Sequence, residues 1–261
     1  MKLSDKLWNW GHLEGSHNKI TGLDCQMTPE QYAEEYGIRN AFVVSYGGNI
    51  QPPFDDFAKR FSSLREVKWS VLGDASSPLP DAELGNTEDI LAVIDKVDNI
   101  TGAIVDDFFS KKRMDRFTPE VLKKIKAALN AKGLDFWCVL YAHQLELDLE
   151  KYMDCFDGIT FWLWTVPDHK EIESHLEKLF AIAKDKPVML GVYVWDYSGI
   201  GARPLQTDIF EAQLSRYFDL LRKKKIEGIV FCSSTLGDAP LATNRILKDY
   251  IKRYGDEEIP E

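Results

Sequence analysis

Short apolar runs alternate with longer stretches whose apolar residues recur at helical spacing, and the alternation repeats along the whole chain. The runs predicted as strands are Leu7 to His12, Ala41 to Tyr46, Val67 to Leu72, Gly102 to Asp106, Phe136 to Tyr141, Gly158 to Trp164, Val188 to Trp195 and Gly228 to Cys232. Gly102 to Asp106 lacks the polar alternation of a half-exposed strand and is read as buried on both faces. Between the runs, helix signals are explicit. Thr28 with Gln31 forms a capping box around Pro29 for a helix ending near Gly37. A helix follows Pro52 and Pro53 over Phe54 to Phe61, and Thr87 caps another carrying Ile90, Leu91, Ile94 and Val97. Thr118-Pro119 starts one with Val121, Ile125 and Leu129 on a single face, and Gly133 stops it. A short helix is expected near Leu149 to Phe156. Asp168 with Glu171 reads as the capping box of a long helix to Ala183, after Pro167 breaks the preceding strand. Helices over Thr207 to Lys224 and Leu241 to Tyr254 complete the pattern.

Eight strand-then-helix units recurring about every 30 residues are what a closed parallel barrel requires. The expected fold is therefore an α/β, (β/α)8 TIM barrel, a single domain over residues 1–261. A doubly wound open sheet is the alternative, but no GxGxxG follows the first strand and no linker rich in Gly, Ser or Pro divides the chain.

In such a barrel the chemistry gathers at the carboxyl ends of the strands. Asp106 and Asp107 stand at the end of the fourth, where a buried carboxylate pair is costly unless it is paired, hydrogen-bonded or protonated. In a regular strand the two point in opposite directions, so one is expected to face the cavity. Asp107, nearer the mouth, is the preferred acid, with Asp106 as its electrostatic or structural partner. Asp196, after the seventh strand, is the first choice of second carboxylate, with Glu14 and Asp74 behind it. The same ends bring Trp10, His12, Tyr46, Tyr141, His143, Gln144, Trp164, Tyr193 and Trp195. Aromatic faces suit the C–H faces of sugar rings, while carboxylates, Gln and His suit their hydroxyls. His17 is assigned to the surface, and His169 and His175 to a solvent-facing helix side.

An acid on strand four with a second carboxylate on strand seven resembles the large group of barrel glycoside hydrolases. Those enzymes commonly carry Asn-Glu at strand four and Glu at strand seven, where this chain has Asp106-Asp107 and Asp196, each one methylene shorter. Asp106 also matches in part the alternating acidic pattern of chitinase-like barrels, with Phe108 standing where their Glu would be. The resemblance implies glycoside hydrolysis with strand-end carboxylates as acid and as nucleophile or base, on a small-molecule or oligosaccharide ligand.

Three other classes stay open. A metal-dependent sugar isomerase or hydrolase would converge His12, Asp106 or Asp107, His143 and Asp196 on a cation, although no HxH or HExxH is present. Ser233, Ser234, Thr235 and Gly237, with Arg203 nearby, could form a phosphate corner. A barrel that binds carbohydrate without turnover is the non-enzymatic alternative.

Composition narrows the partners. A net charge of −10 argues against nucleic acid and anionic membranes, and the basic run Arg222 to Lys225 reads as a solvated helix end. No apolar run reaches the roughly 18 residues of a membrane span, and the amino terminus lacks a signal-peptide core, so with Met1 as the native start a cytoplasmic location is expected. Cys25, Cys138, Cys155 and Cys232 have no metal-like spacing and read as reduced, structural residues; no cofactor or metal is expected.

Overall fold

The apolar runs become eight parallel strands: β1 (Leu7–Gly11), β2 (Asn40–Val43), β3 (Glu66–Ser70), β4 (Ile100–Val105), β5 (Asp135–Tyr141), β6 (Gly158–Trp162), β7 (Val188–Tyr193) and β8 (Gly228–Cys232). Each pairs with its neighbours in sequence and β1 closes on β8, giving a (β/α)8 barrel. The structure is a computed structural model describing residues 1–198 and 203–259. Part of the loop expected over Ser198 to Pro204 lies outside the described residues.

Strand side chains alternate between two environments. Trp8, Trp10, Phe42, Ile104, Trp137, Val139, Trp162, Met189 and Val230 form one cluster that fills the barrel. The intervening residues, among them Val43, Val67, Trp69, Val105, Phe136, Leu140, Phe161 and Phe231, belong to a second, larger cluster shared with the helices. The indoles of the inner cluster need room that their neighbours provide. Trp137 pairs in register with Gly158, and Trp162 with Gly191. A Cβ at Gly158 would lie 2.6 Å from the Trp137 ring, and one at Gly191 only 2.1 Å from that of Trp162. Each indole therefore lies across the backbone of the next strand, and glycine is what lets it.

The amino end of the barrel is closed by a buried cation. The Lys68 ammonium donates to both carboxylate oxygens of Asp135 at 2.6 and 2.7 Å, and lies 5.4 and 5.3 Å from the Trp8 and Trp137 ring centroids. A buried ammonium needs such a partner.

Local signals set three of the helix starts. The Thr28 hydroxyl accepts from the Gln31 N–H at 3.2 Å, opening Pro29–Tyr36. Pro119 leads Pro119–Asn130. Thr87, expected as a cap, is instead the first residue of Thr87–Val93, behind Asn86, with its hydroxyl donating to the Leu84 carbonyl at 2.6 Å. The start after β6 also differs from the sequence expectation: the capping box is Thr165 with Asp168, opening Val166–Lys170 ahead of Ile172–Ala183. Pro167 falls in the first turn, where its missing N–H costs nothing, so it starts this helix as well as ending the strand. Beyond β7 the chain leaves the barrel, and Trp195–Asp196 pairs antiparallel with Arg203–Pro204 in a two-residue ribbon. No helix among the described residues is long and apolar enough to cross a membrane.

Candidate active site

The decisive geometry is at the end of β4. Gly102 and Ile104 set the inward parity, and Asp106 continues it, 3% exposed. Asp107 would point outward in a regular strand, but its φ is 46°, in the left-handed region. That turn breaks the alternation and brings its carboxylate back toward the mouth. Oδ1 accepts the Tyr141 hydroxyl at 2.8 Å and Oδ2 accepts the Ala75 N–H at 2.9 Å. Both aspartates thus reach the same end of the barrel, where alternation alone admits one. Phe108 and Phe109 then anchor the chain in the helix layer against Tyr152.

Arg113 fixes this corner without offering charge to a ligand. Its buried guanidinium donates to the carbonyls of Gly73 and Asp106 at 2.9 and 2.7 Å and to that of Asp74, tying the ends of β3 and β4 together. Asp74 is a third carboxylate nearby. Its Oδ1 accepts the Ser77 hydroxyl at 2.7 Å and the Gly47 N–H at 3.0 Å, and its Oδ2 accepts the Ser76 hydroxyl at 2.6 Å.

The environments pull these acids apart. Burial, then the negative charges of Asp107 and Asp74, hold the Asp106 carboxyl well above the usual carboxylate range, with Arg113 opposing weakly. At Asp74, burial works upward, but the hydrogen bonds from Ser76, Ser77 and Gly47 outweigh it and its pKa is lowered. A proton held on Asp106 lies beside Asp107, whose two oxygens accept the Tyr141 hydroxyl and the Ala75 N–H.

Facing them are two buried histidines. His12 Nδ1 lies 3.1 Å from His17 Nε2, and His17 Nδ1 lies 2.8 Å from both the Tyr197 and Thr235 hydroxyls. Burial pushes His12 down to about 4, against the pull of Asp74, and pushes His17, with help from His12, down to about 3. Both rings are neutral at neutral pH. His17, expected at the surface from the sequence, is buried: its segment carries no periodic pattern, and only the folding of that loop over the mouth covers it.

The rim is aromatic. Trp164, 38% exposed, meets Tyr141 and Tyr193 edge-on at 5.7 and 5.9 Å and stacks with Tyr197 at 6.3 Å. His143 is exposed and stacks on Tyr141 at 5.5 Å. Tyr46 packs against His12 and His17, while Trp10 lies deeper, on Trp162. Tyr197 also belongs to this wall, packed against Trp164 and Tyr193.

Other expected residues serve elsewhere. Trp195 is buried in the strand-to-helix layer. Asp196 accepts the Ser198 N–H at 3.0 Å and its hydroxyl, and its charge bears on His169. Glu14 pairs with Arg60 at 3.4 Å. Gln144 is buried and accepts the Tyr141 N–H at 3.0 Å, fixing the end of β5. Of the possible cation ligands read from sequence, His143 and Asp196 are thus turned to other partners. In the would-be phosphate corner, Ser233 bonds Tyr32, Ser234 bonds the Trp10 carbonyl at 3.2 Å and Thr235 bonds His17. A flank groove of about 700 Å³, lined by Leu145, Met153, Phe156 and Lys186, contains none of the mouth carboxylates.

No family model matches the chain, and no curated protein matches it in sequence. Among solved structures it is similar to the spore cortex-lytic enzyme SleL of Bacillus megaterium QM B1551, with a TM-score of 0.62 at 11% identity over 100% of this chain and 76% of that one. A GH113 β-1,4-mannanase gives 0.61 at 12% identity, covering 96% and 99% of the two chains. This chain has their barrel fold. Tryptophan synthase from M. tuberculosis also matches, at 0.55 and 13% identity over 98% and 94%, so the likeness is one of architecture. Chemistry must be argued from the mouth itself.

Proposed function

We propose that this protein is a glycoside hydrolase whose acid is Asp106 and whose anionic partner is Asp107. The observation that carries the reading is the placement of two carboxyl groups in contrasting environments at one mouth: Asp106 is buried and favours its proton, while Asp107 is held by the Tyr141 hydroxyl and the Ala75 N–H. Protonated Asp106 would donate to the departing glycosidic oxygen. Asp107 would face the positive charge that develops at the anomeric carbon. This exchanges the roles that reach alone suggested from the sequence. It also replaces Asp196 as the second carboxylate, since Asp196 is bound to Ser198. The barrel hydrolases among the similar structures support the reading as analogies of fold.

The aromatic rim supplies the binding half of the argument. Trp164 and the tyrosines packed around it, Tyr141, Tyr193 and Tyr197, gather aromatic surface at the mouth, of the kind on which a pyranose ring stacks. Trp164→Ala is expected to raise KM for an oligosaccharide about fivefold to tenfold with a smaller change in kcat, as for loss of one stacking platform.

The direct test is release of reducing ends from a panel of neutral oligosaccharides, alongside binding measured by calorimetry. Turnover of any member supports the reading. Binding without turnover across the panel favours the second reading, a sugar-binding barrel, and ends the hydrolase assignment.

A further inference from the structure

Two imidazoles and a thiol meet at the carboxyl ends of β1 and β8. His12 follows β1, His17 lies in the loop beyond it, and Cys232 ends β8; all are buried, and each offers a donor atom within 4.8 Å of the others. The hydrolytic reading uses none of them as a reacting group. We propose that His12, His17 and Cys232 hold one zinc-class divalent cation.

Three features support this. Two nitrogens bound at about 2.05 Å to a tetrahedral zinc lie roughly 3.3 Å apart, and His12 Nδ1 and His17 Nε2 are 3.1 Å apart. The outer nitrogen of His17 already has its partners: Thr235 and Tyr197 hydroxyls at 2.8 Å fix the ring and let Nδ1 keep its proton, leaving Nε2 free to ligate. The third feature is an imbalance. His12 Nε2 is buried with no hydrogen-bond partner among the described residues, so the protein's own polar groups do not satisfy the pair of rings. His12 is thus held at one nitrogen only, the one facing His17.

The donor set selects the ion. Imidazole and thiolate suit zinc and disfavour magnesium and calcium, which require oxygen ligands. Binding breaks the Cys232 S–H bond, passes its proton to solvent and forms a metal–sulfur bond, with no change of oxidation state. Three protein ligands leave a fourth position for water or a ligand hydroxyl. The spacing in sequence hid the site because His12 and His17 are five residues apart in an irregular loop and Cys232 comes from the last strand. The assignment does not depend on the hydrolase reading, since metal content is measured whether or not a glycoside is cleaved.

The experiment is titration of chelator-treated, dialysed protein with Co²⁺ and then Zn²⁺. The expected result is one Co²⁺ per chain with a thiolate-to-cobalt charge-transfer absorption in the near ultraviolet, abolished by an equivalent of Zn²⁺. Cys232→Ser should lose that absorption. Thr235→Val, which removes an outer partner of His17, should weaken binding about tenfold while keeping it. Absence of the absorption from the native protein overturns the proposal, and so does its survival in Cys232→Ser. The native titration stands even where a variant fails to fold.

Discussion

Asp106→Asn is expected to lower turnover by about 10² to 10⁴, the usual contribution of a positioned general acid, while raising the stability of the fold at neutral pH. The second half follows from the same burial as the first. Because the folded-state pKa of Asp106 is raised, the native protein holds a proton that the unfolded chain has released. Stability contributed by that group is present at low pH and is lost as pH rises from the ordinary carboxylate range toward the raised value. Asparagine carries no such dependence. Thermal melts of both proteins between pH 4 and 8 should therefore show the variant gaining most at the upper end and the difference shrinking toward pH 4. Turnover that survives the substitution would remove Asp106 from the acid role. Lost turnover with superimposable melting curves would mean that the native carboxyl is ionised, which contradicts the burial argument.

The second large effect is structural. Gly191→Ala is expected to destabilise the protein by about 3 kcal/mol, with a fall in Tm on the order of 10 °C. The new methyl would sit 2.1 Å from the Trp162 ring. That ring has little freedom to retreat: Trp10 and Tyr193 pack on it at 5.2 and 4.9 Å, and its indole N–H donates to the Thr160 hydroxyl at 3.1 Å. Urea unfolding measures the loss. Because Trp162 carries Trp10 and Tyr193, the displacement should reach the mouth and weaken sugar binding too. Adding Trp162→Leu should restore part of the stability by making room, a non-additivity that distinguishes a clash from a general intolerance of β7 to alanine.

Most of the barrel was legible in the chain. The strand runs, the Thr28 capping box and the Pro119 helix start each follow from local chemistry, and eight such units in succession admit few architectures. The site was legible as a set of strand ends but not as an arrangement. Strand periodicity could assign only one of Asp106 and Asp107 to the cavity, because the left-handed turn at Asp107 is a backbone property with no periodic signature. The sequence pattern carries β7 on to Trp195, with Asp196 just beyond it, whereas the strand stops at Tyr193 and the chain turns away into its ribbon. Glu14 and Gln144 are candidates by position alone, and their partners, Arg60 just after a helix distant in sequence and the Tyr141 N–H, are not legible in the chain. His17 shows the converse: a loop residue acquires its neighbours only when the loop closes over the barrel.

The backbone at position 107 also bears on how this site can change through evolution. Glutamate in place of Asp107 would add one methylene to the reach of the carboxylate. A φ of 46° favours short polar side chains, aspartate and asparagine above all, and glycine; a longer side chain there costs on the order of 1 kcal/mol. Here the backbone turn, rather than side-chain length, delivers the carboxylate. Under the proposed hydrolase reading, lineages without turnover should therefore drift at this position toward asparagine or glycine, keeping the turn and discarding the charge, while a glutamate would first require the end of β4 to be rebuilt.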